Sequence, residues 1–331
     1  MSQNLPVFDL HCDLLSYLHM ADDASIHSED VIGASYPFLK KGNVQLQVCA
    51  IFSLTQSGSY AFANAQLKHF SQLIEGPEFS AGRSEVEIRK AQEENKPAIF
   101  ASIENASGLL EEEEPISLLE ERLDEFIKGT GRLLYISFTH HLANRFGGGN
   151  FSDNLPITSD GKSLLACMDG KNIAVDLSHT SDALAEGILT EIEQQRYDIP
   201  VIASHSNFRP ICDHPRNLPD EFAKEIVHRK GLIGINFVRD FVGRKGAEML
   251  YEHIQYGIEE IGAGEHLAFG ADYFDERMIP DQERRPFFYP QHKNASKFPA
   301  ILEEMKEKGF SQDQLEKISH KNAEDFIRRL G

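Results

Sequence analysis

VFDLHCDLL, residues 7–15, reads as a buried strand that carries Asp9, His11 and Asp13 at alternate positions. In a strand, alternate side chains share one face, and burying unpaired charge is costly. Either solvent reaches these three groups or a cation neutralises them. Seven similar runs follow: VQLQVCAIF (44–52), AIFASIE (98–104), LLYISFTH (133–140), IAVDLSH (173–179), PVIASH (200–205), LIGINF (232–237) and LAFGAD (267–272). Helical patterns separate most of them, at 180–196, 219–230 and 246–261, and two more helices fill 297–329. Eight strand–helix alternations predict an α/β fold, a parallel sheet closed into a (β/α)8 TIM barrel. An open, doubly wound sheet is the runner-up. No linker or fixed-period repeat interrupts the pattern, so residues 1–331 are expected to form a single domain. Extra structure is expected in the long connections 16–43, 55–97 and 141–163.

Composition narrows the function classes. The chain has 331 residues, 41% hydrophobic and 26% charged, and 33 Lys+Arg against 52 Asp+Glu give a net charge of −19. Such acidity repels phosphate backbones, and no basic patch offsets it, so nucleic acid is not an expected partner. The run EEEEP (111–115) reads as a solvated loop or first helical turn. Cys12, Cys49, Cys167 and Cys212 form no CxxC pair, which argues against a zinc ribbon or a disulfide framework and fits a reducing compartment. There is no signal-peptide pattern and no long apolar span, so no membrane association and a cytoplasmic location are expected.

The polar residues fall at strand ends. His11 and Asp13 close the first run, Glu104 the third, His140 the fourth, His179 the fifth, His205 the sixth and Asp272 the eighth. In a parallel barrel these ends open on one rim, where active sites lie. A lone histidine there would be ordinary, but seven such residues on six strand ends argue for one metal site at the C-terminal ends of the strands. Imidazole and carboxylate ligands without thiolate suit zinc, manganese or a similar divalent ion. Five ligands exceed the need of one catalytic zinc, and a bridging carboxylate lets five serve two metals. Asp9, deeper on the same face, reads either as a partner orienting an imidazole or as an interior hydrogen bond.

DLHCDLL resembles the His-x-Asp signature that opens the renal (membrane) dipeptidase family, the M19 metallopeptidases. The resemblance continues through SIEN around Glu104, SFTHH around His140, VDLSHTS around His179, PVIASHSNFRPICDHPRNLPDE around His205 and FGADYFD around Asp272. It implies a (β/α)8 barrel with two divalent metal ions, zinc in the family. His11 and Asp13 would hold one, His179 and His205 the other, and Glu104 would bridge them. The resemblance further implies that His140 contacts substrate and stabilises the tetrahedral intermediate. Arg216 would hold the substrate's terminal carboxylate, and Asp272 would shuttle the proton. The implied substrate is a small dipeptide, L-Xaa-L-Xaa or L-Xaa-D-Xaa, and a homodimer is an assembly the resemblance allows.

The chain also departs from that pattern. Strand eight reads GADYFDE with one extra residue before Asp275, and HLANRFGGGNFSDN after His140 differs from the Asn- and Trp-containing loop of many relatives. His141 is expected to point away from His140 unless the alternation slips, and Arg145 is a candidate second substrate contact. GGGN (147–150) reads as a flexible active-site loop. SDGKS (159–163) fails as a phosphate loop because Pro156 stands where its first glycine would be. His19, His27, His214, His228, His253, His266, His292 and His320 are expected at the surface. Another barrel hydrolase acting on a different amide or ester is the rival reading. Such enzymes typically open with His-x-His and use a lysine on strand four, and this chain has neither. A silent scaffold is the third reading, and it would be expected to lack Asp272, His140 or Arg216.

Overall fold

All eight apolar runs form strands in the computed structural model, which describes residues 5–331. They are β1 (Val7–Cys12), β2 (Val44–Phe52), β4 (Ala98–Glu104), β5 (Leu133–Ser137), β6 (Ala174–Asp176), β7 (Val201–Ile202), β8 (Ile233–Ile235) and β9 (Leu267–Phe269). A ninth, the two-residue β3 (Ser80–Ala81), pairs with the start of β4. Residues 1–4 of the expected domain lie outside the described residues.

The neighbours run β7-β6-β5-β4-β2-β1-β9-β8, every ladder parallel. The two ends meet through a parallel bridge between Ala203 and Ile233. Ala203 N donates to Leu232 O and Gly234 N to Ala203 O, each at 2.8 Å. The sheet therefore runs round into a barrel, and the open-sheet alternative falls. Gly234 makes the seam sterically feasible, because a Cβ there would sit 1.9 Å from the carbonyl oxygen of Ser204.

The strands are mostly apolar because both faces are covered. Every residue of β1 and β4 is buried. One core cluster takes Phe8, Leu10, Val48, Phe100, Leu134 and Ile202 from the strands and adds Phe326, Ile327 and Leu330 of the last helix, Asn322–Leu330. The larger cluster packs strands against the surrounding helices. Among those helices are Asp182–Gln195, Asp220–His228, Met249–Glu259 and Phe298–Glu307, where the periodicity places them. Ser181 caps the first of these by accepting from Leu184 N, which fixes the chain immediately after His179.

The long connections hold the expected extra structure, including helices Leu14–Met20, Ser59–Glu75 and Glu85–Glu93. SDGKS starts the helix Ser159–Met168, so it forms no phosphate loop. Residues 111–115 precede a short helical turn, and all five are exposed or half-buried. Two histidines expected at the surface are fully buried instead. His253 accepts from Phe208 N and contacts Val242 O, and burial takes its pKa down to about 4. His292 packs against Phe237, Tyr251 and Tyr289, and burial likewise lowers it to about 4. Their flanking sequence is loop- and helix-like, and nothing in it marks the aromatic shell they enter. Among the described residues, no helix is long and apolar enough to cross a membrane.

Candidate metal centre

The later strands end short of their apolar runs. β5 stops at Ser137 and β6 at Asp176, so His140 and His179 lie just past the ladder. The turn outward is built from left-handed backbone: φ is 58° at His141, 68° at His179 and 65° at Asp272. Non-glycine residues avoid that region, and where it persists the surrounding structure must hold it. Here it turns side chains from different strands toward one point.

Glu104, the last residue of β4, is the hub. Its Oε2 lies 3.4 Å from His11 Nε2, and its Oε1 lies 3.0 Å from His179 Nε2 and 3.5 Å from His205 Nε2. The Nε2 atoms of His179 and His205 are 2.9 Å apart. Ligand atoms of His11, Asp13 and Glu104 lie within 4.8 Å of one another, and so do those of Glu104, His179 and His205. Glu104 belongs to both groups. Asp272 joins His11 and His205 in a third, with Oδ1 3.7 Å from His11 Nε2. All five residues expected to hold metal are thus brought together, with Asp272 beside them.

The imidazoles are oriented from behind by residues that the sequence reading missed. His11 Nδ1–H donates to the Tyr135 hydroxyl at 2.7 Å, and that hydroxyl donates to Leu10 O at 3.0 Å. His11 Nε2 faces the centre and, among the described residues, has no hydrogen-bond partner. His205 Nδ1–H donates to Ser204 Oγ at 2.6 Å, which donates in turn to Asp176 Oδ2 at 2.6 Å. Asp176 also accepts from Ser137 Oγ, Ser178 N and Ser204 N. Such outer partners set the tautomer and raise ligand basicity. Asp176 left one signal, a carboxylate inside the apolar run IAVDLSH. Asn236, inside LIGINF, left another: its Nδ2 donates to Asp272 Oδ2 at 2.8 Å.

The electrostatics divide the centre in two. Burial works against a charged His11, but Glu104, Asp272 and Asp13 outweigh it and push its pKa up to about 10. That corner strongly favours positive charge. His140, His179 and His205 are held well below their ordinary value, by burial first and by neighbouring cationic groups second. Burial, then Glu104, drives Asp13 well up. Asp272 rises to about 6, chiefly through burial, with His11 opposing and Glu104 adding. Neutral imidazoles beside crowded carboxylates are the donor set that a divalent cation satisfies. Asp13 Oδ1, buried and unpartnered, fits the same use. The thiol of Cys12 is turned to Cys49, 3.9 Å away, and adds no sulfur ligand.

Arg216 is 3% exposed. Its guanidinium donates to Ser206 Oγ at 2.6 Å and His205 O at 2.9 Å, and its Nε has no partner. Among the described residues it forms no ion pair with a carboxylate, so it is not a surface salt bridge. His140 sits beside the centre, its ring 4.5 Å from that of His179 and 4.8 Å from Phe52. His141 does not point away. The chain leaves the strand before it, and its Nδ1 comes 3.3 Å from His179 Nδ1. The GGGN segment is pinned rather than loose: Asn150 N donates to His179 O, Phe151 N to His141 O and Ser181 N to Gly148 O. Gly149 allows this packing, since a Cβ there would lie 2.3 Å from the carbonyl of His141.

Three further residues are held by other partners, and Asp9 takes the second of its two readings, the interior hydrogen bond. Arg145 holds Asp160 and the carbonyl of Glu114, so it braces the loop rather than reaching the centre. Asp9 touches no imidazole. Its Oδ1 accepts from Ala271 N at 2.8 Å, and the β1–β2 register is irregular between Asp9 and Cys12, where simple alternation fails. Asp275 is buried and pairs with Arg277, which anchors the altered loop after β9.

The family description that matches this chain is "Membrane dipeptidase (Peptidase family M19)", over residues 1–329. A protein in the pqqA 5′ region of Klebsiella pneumoniae is 26% identical over 285 residues, 78% of this chain and 92% of its own length. The dipeptidase verJ of Clonostachys rogersoniana is 29% identical over 191 residues, 56% of this chain and 45% of that protein, so the match spans about half of it. A metallopeptidase from Rhodobacter sphaeroides, solved with a phosphinate mimic of L-Ala-D-Ala, superposes with a TM-score of 0.83 at 18% identity. That superposition covers 99% of this chain and 100% of the other.

Proposed function

Because the chain belongs to the membrane dipeptidase family, peptidase family M19, we propose that it is a metal-dependent dipeptidase acting on small L-Xaa-L-Xaa and L-Xaa-D-Xaa dipeptides. The whole chain acts as one barrel domain. The observation that carries this reading is Arg216: a buried guanidinium, without a carboxylate of its own, beside a cluster of metal-competent ligands. The ligand of a similarly folded relative, an L-Ala-D-Ala mimic, supports the choice of substrate.

His11 and Asp13 would hold one cation, His179 and His205 the other, and Glu104 would contribute to both. Two such divalent ions, zinc by family, would supply Lewis-acid chemistry that lowers the pKa of water and polarises the scissile carbonyl. The remaining work falls to the protein. Arg216 grips the substrate's free carboxylate with its fork of N–H donors, which selects a C-terminal residue immediately after the scissile bond. His140 donates to the carbonyl oxygen as negative charge develops there. Asp272, held by Asn236 through Oδ2, accepts at Oδ1 the proton of the water that attacks the carbonyl and delivers it to the amine as the C–N bond breaks.

The test is hydrolysis of an L-Xaa-D-Ala and L-Xaa-L-Ala panel after chelation and again after zinc is restored. Zinc-dependent cleavage is the expected result. Inactivity of protein carrying two metal equivalents would refute the dipeptidase reading.

A further inference from the structure

Each imidazole expected to hold metal needs its second ring nitrogen satisfied, so that the lone pair stays on the nitrogen facing the centre. His11 uses Tyr135 and His205 uses Ser204 backed by Asp176. Among the described residues, His179 has no such oxygen at its Nδ1. Its Nε2 faces Glu104 and His205, and its Nδ1 meets Nδ1 of His141 at 3.3 Å. His141 is held for this contact. Its φ of 58° turns the ring inward, Phe151 stacks on it at 4.6 Å, and Gly149 packs beneath its carbonyl.

We infer that His141 is a positioning residue for His179: its Nδ1 lone pair accepts the His179 Nδ1–H and so fixes the tautomer that presents Nε2 to the metal. The inference rests on the metal-dependent reading above. Asn150 completes the arrangement. Its Oδ1 lies 3.1 Å from His141 Nδ1, while its Nδ2 is buried without a partner. A half-turn of the amide puts Nδ2–H on the His141 nitrogen and leaves that nitrogen unprotonated. The single lone pair of His141 Nδ1 is then shared, as a three-centre acceptor, between the Asn150 amide and the His179 Nδ1–H, and the His141 proton resides on Nε2. A chain of neutral side chains thereby replaces the oxygen acceptors used by the other two histidines.

The experiment compares His141→Asn with His141→Leu in the full-length protein. Asn Oδ1 stands where the histidine Nδ1 stood, whereas Leu has the same shape and no acceptor. Zinc is titrated into metal-free protein against a competing chelator, with bound metal counted by mass spectrometry. In the Leu variant, the affinity of one of the two zinc equivalents is expected to fall about 10- to 100-fold. The other equivalent should hold, and the Asn variant should stay near wild type. Melting curves of both variants separate strain at this left-handed position from loss of the acceptor. Equal zinc affinity in the two variants would overturn the inference and leave the dipeptidase reading intact. A wild-type protein that binds fewer than two equivalents would overturn both.

Discussion

Asn236 and Asp272 form a single unit: the Asn236 amide donates to Asp272 Oδ2 at 2.8 Å and to His205 O at 3.1 Å. Asn236 is itself clamped to Asn207 by paired amide–backbone bonds. One oxygen of Asp272 is therefore committed to position, and the other is free for the proposed proton transfer. Asp272→Asn should lower kcat by about 10²- to 10⁴-fold while both metal equivalents remain. Steady-state kinetics with metal analysis checks this. Loss of metal would make Asp272 a ligand instead.

The role proposed for Arg216 can be separated from the chemistry. Arg216→Lys keeps the charge but loses the fork and the bonds to Ser206 and His205, so kcat/KM should fall by about 10²-fold, mainly through KM. Wild-type protein given dipeptide amides should show a comparable loss. An unchanged KM in the variant would take Arg216 out of carboxylate binding.

Gly149→Ala forces a methyl group into the His141 carbonyl. Overpacking of this kind costs about 1–3 kcal/mol. The melting temperature should drop modestly, and kcat/KM should drop more than that loss explains, because the displaced loop carries His140 and His141. Normal activity in the variant would show that the loop yields without consequence.

Asp9 sets a pH slope. Burial raises its pKa from 3.8 to about 7 against the hydrogen bond from Ala271. Between those values the folded state holds a proton that the unfolded chain has released, so this group's contribution favours folding less as pH rises. Its effect is absent below about pH 4 and levels off above about 7. Asp9→Asn keeps the acceptor for Ala271 and removes the titration. Urea unfolding at pH 5 and pH 8 should show a gain for the variant at pH 8 of roughly 1–4 kcal/mol relative to pH 5. A parallel pH dependence in the two proteins would contradict it.

Chelation should do more than stop turnover. Removing cations leaves Asp13, Glu104 and Asp272 crowded in a buried site, so the melting temperature should fall by about 5 °C or more and recover on zinc addition. A melting temperature insensitive to chelator would argue that the centre is preformed without need of metal.

The barrel and its rim were legible because strand ends announce themselves: an apolar run that closes on His11, Glu104 or Asp272 makes little sense unless something binds at its end. The five expected metal residues and Asp272 came together for that reason. What stayed hidden depends on where each strand stops. His141 could be placed only once β5 was known to end at Ser137, since one residue more of strand would turn it away. Tyr135, Ser204 and Asn236 act through partners more than 25 residues distant or behind a neighbouring imidazole, and their types are ordinary for strands. Arg145 misled, and Asp9 stayed open between two readings, because a charged residue near a site looks the same in sequence whether it faces a ligand or a backbone amide.

The pairing of β1 with β9 has a consequence for biosynthesis. Asp272 N donates to His11 O, and Asp13 N donates to Tyr273 O, so the earliest and latest barrel strands finish the centre together. During translation β1 can zip to β2 early, yet its other edge waits for more than two hundred residues to emerge. A nascent chain stalled before Asp272 lacks one wall of the centre. Assembly of the centre is thus tied to the arrival of β9, and a chain that ends before Asp272 would be expected to lack the proposed activity.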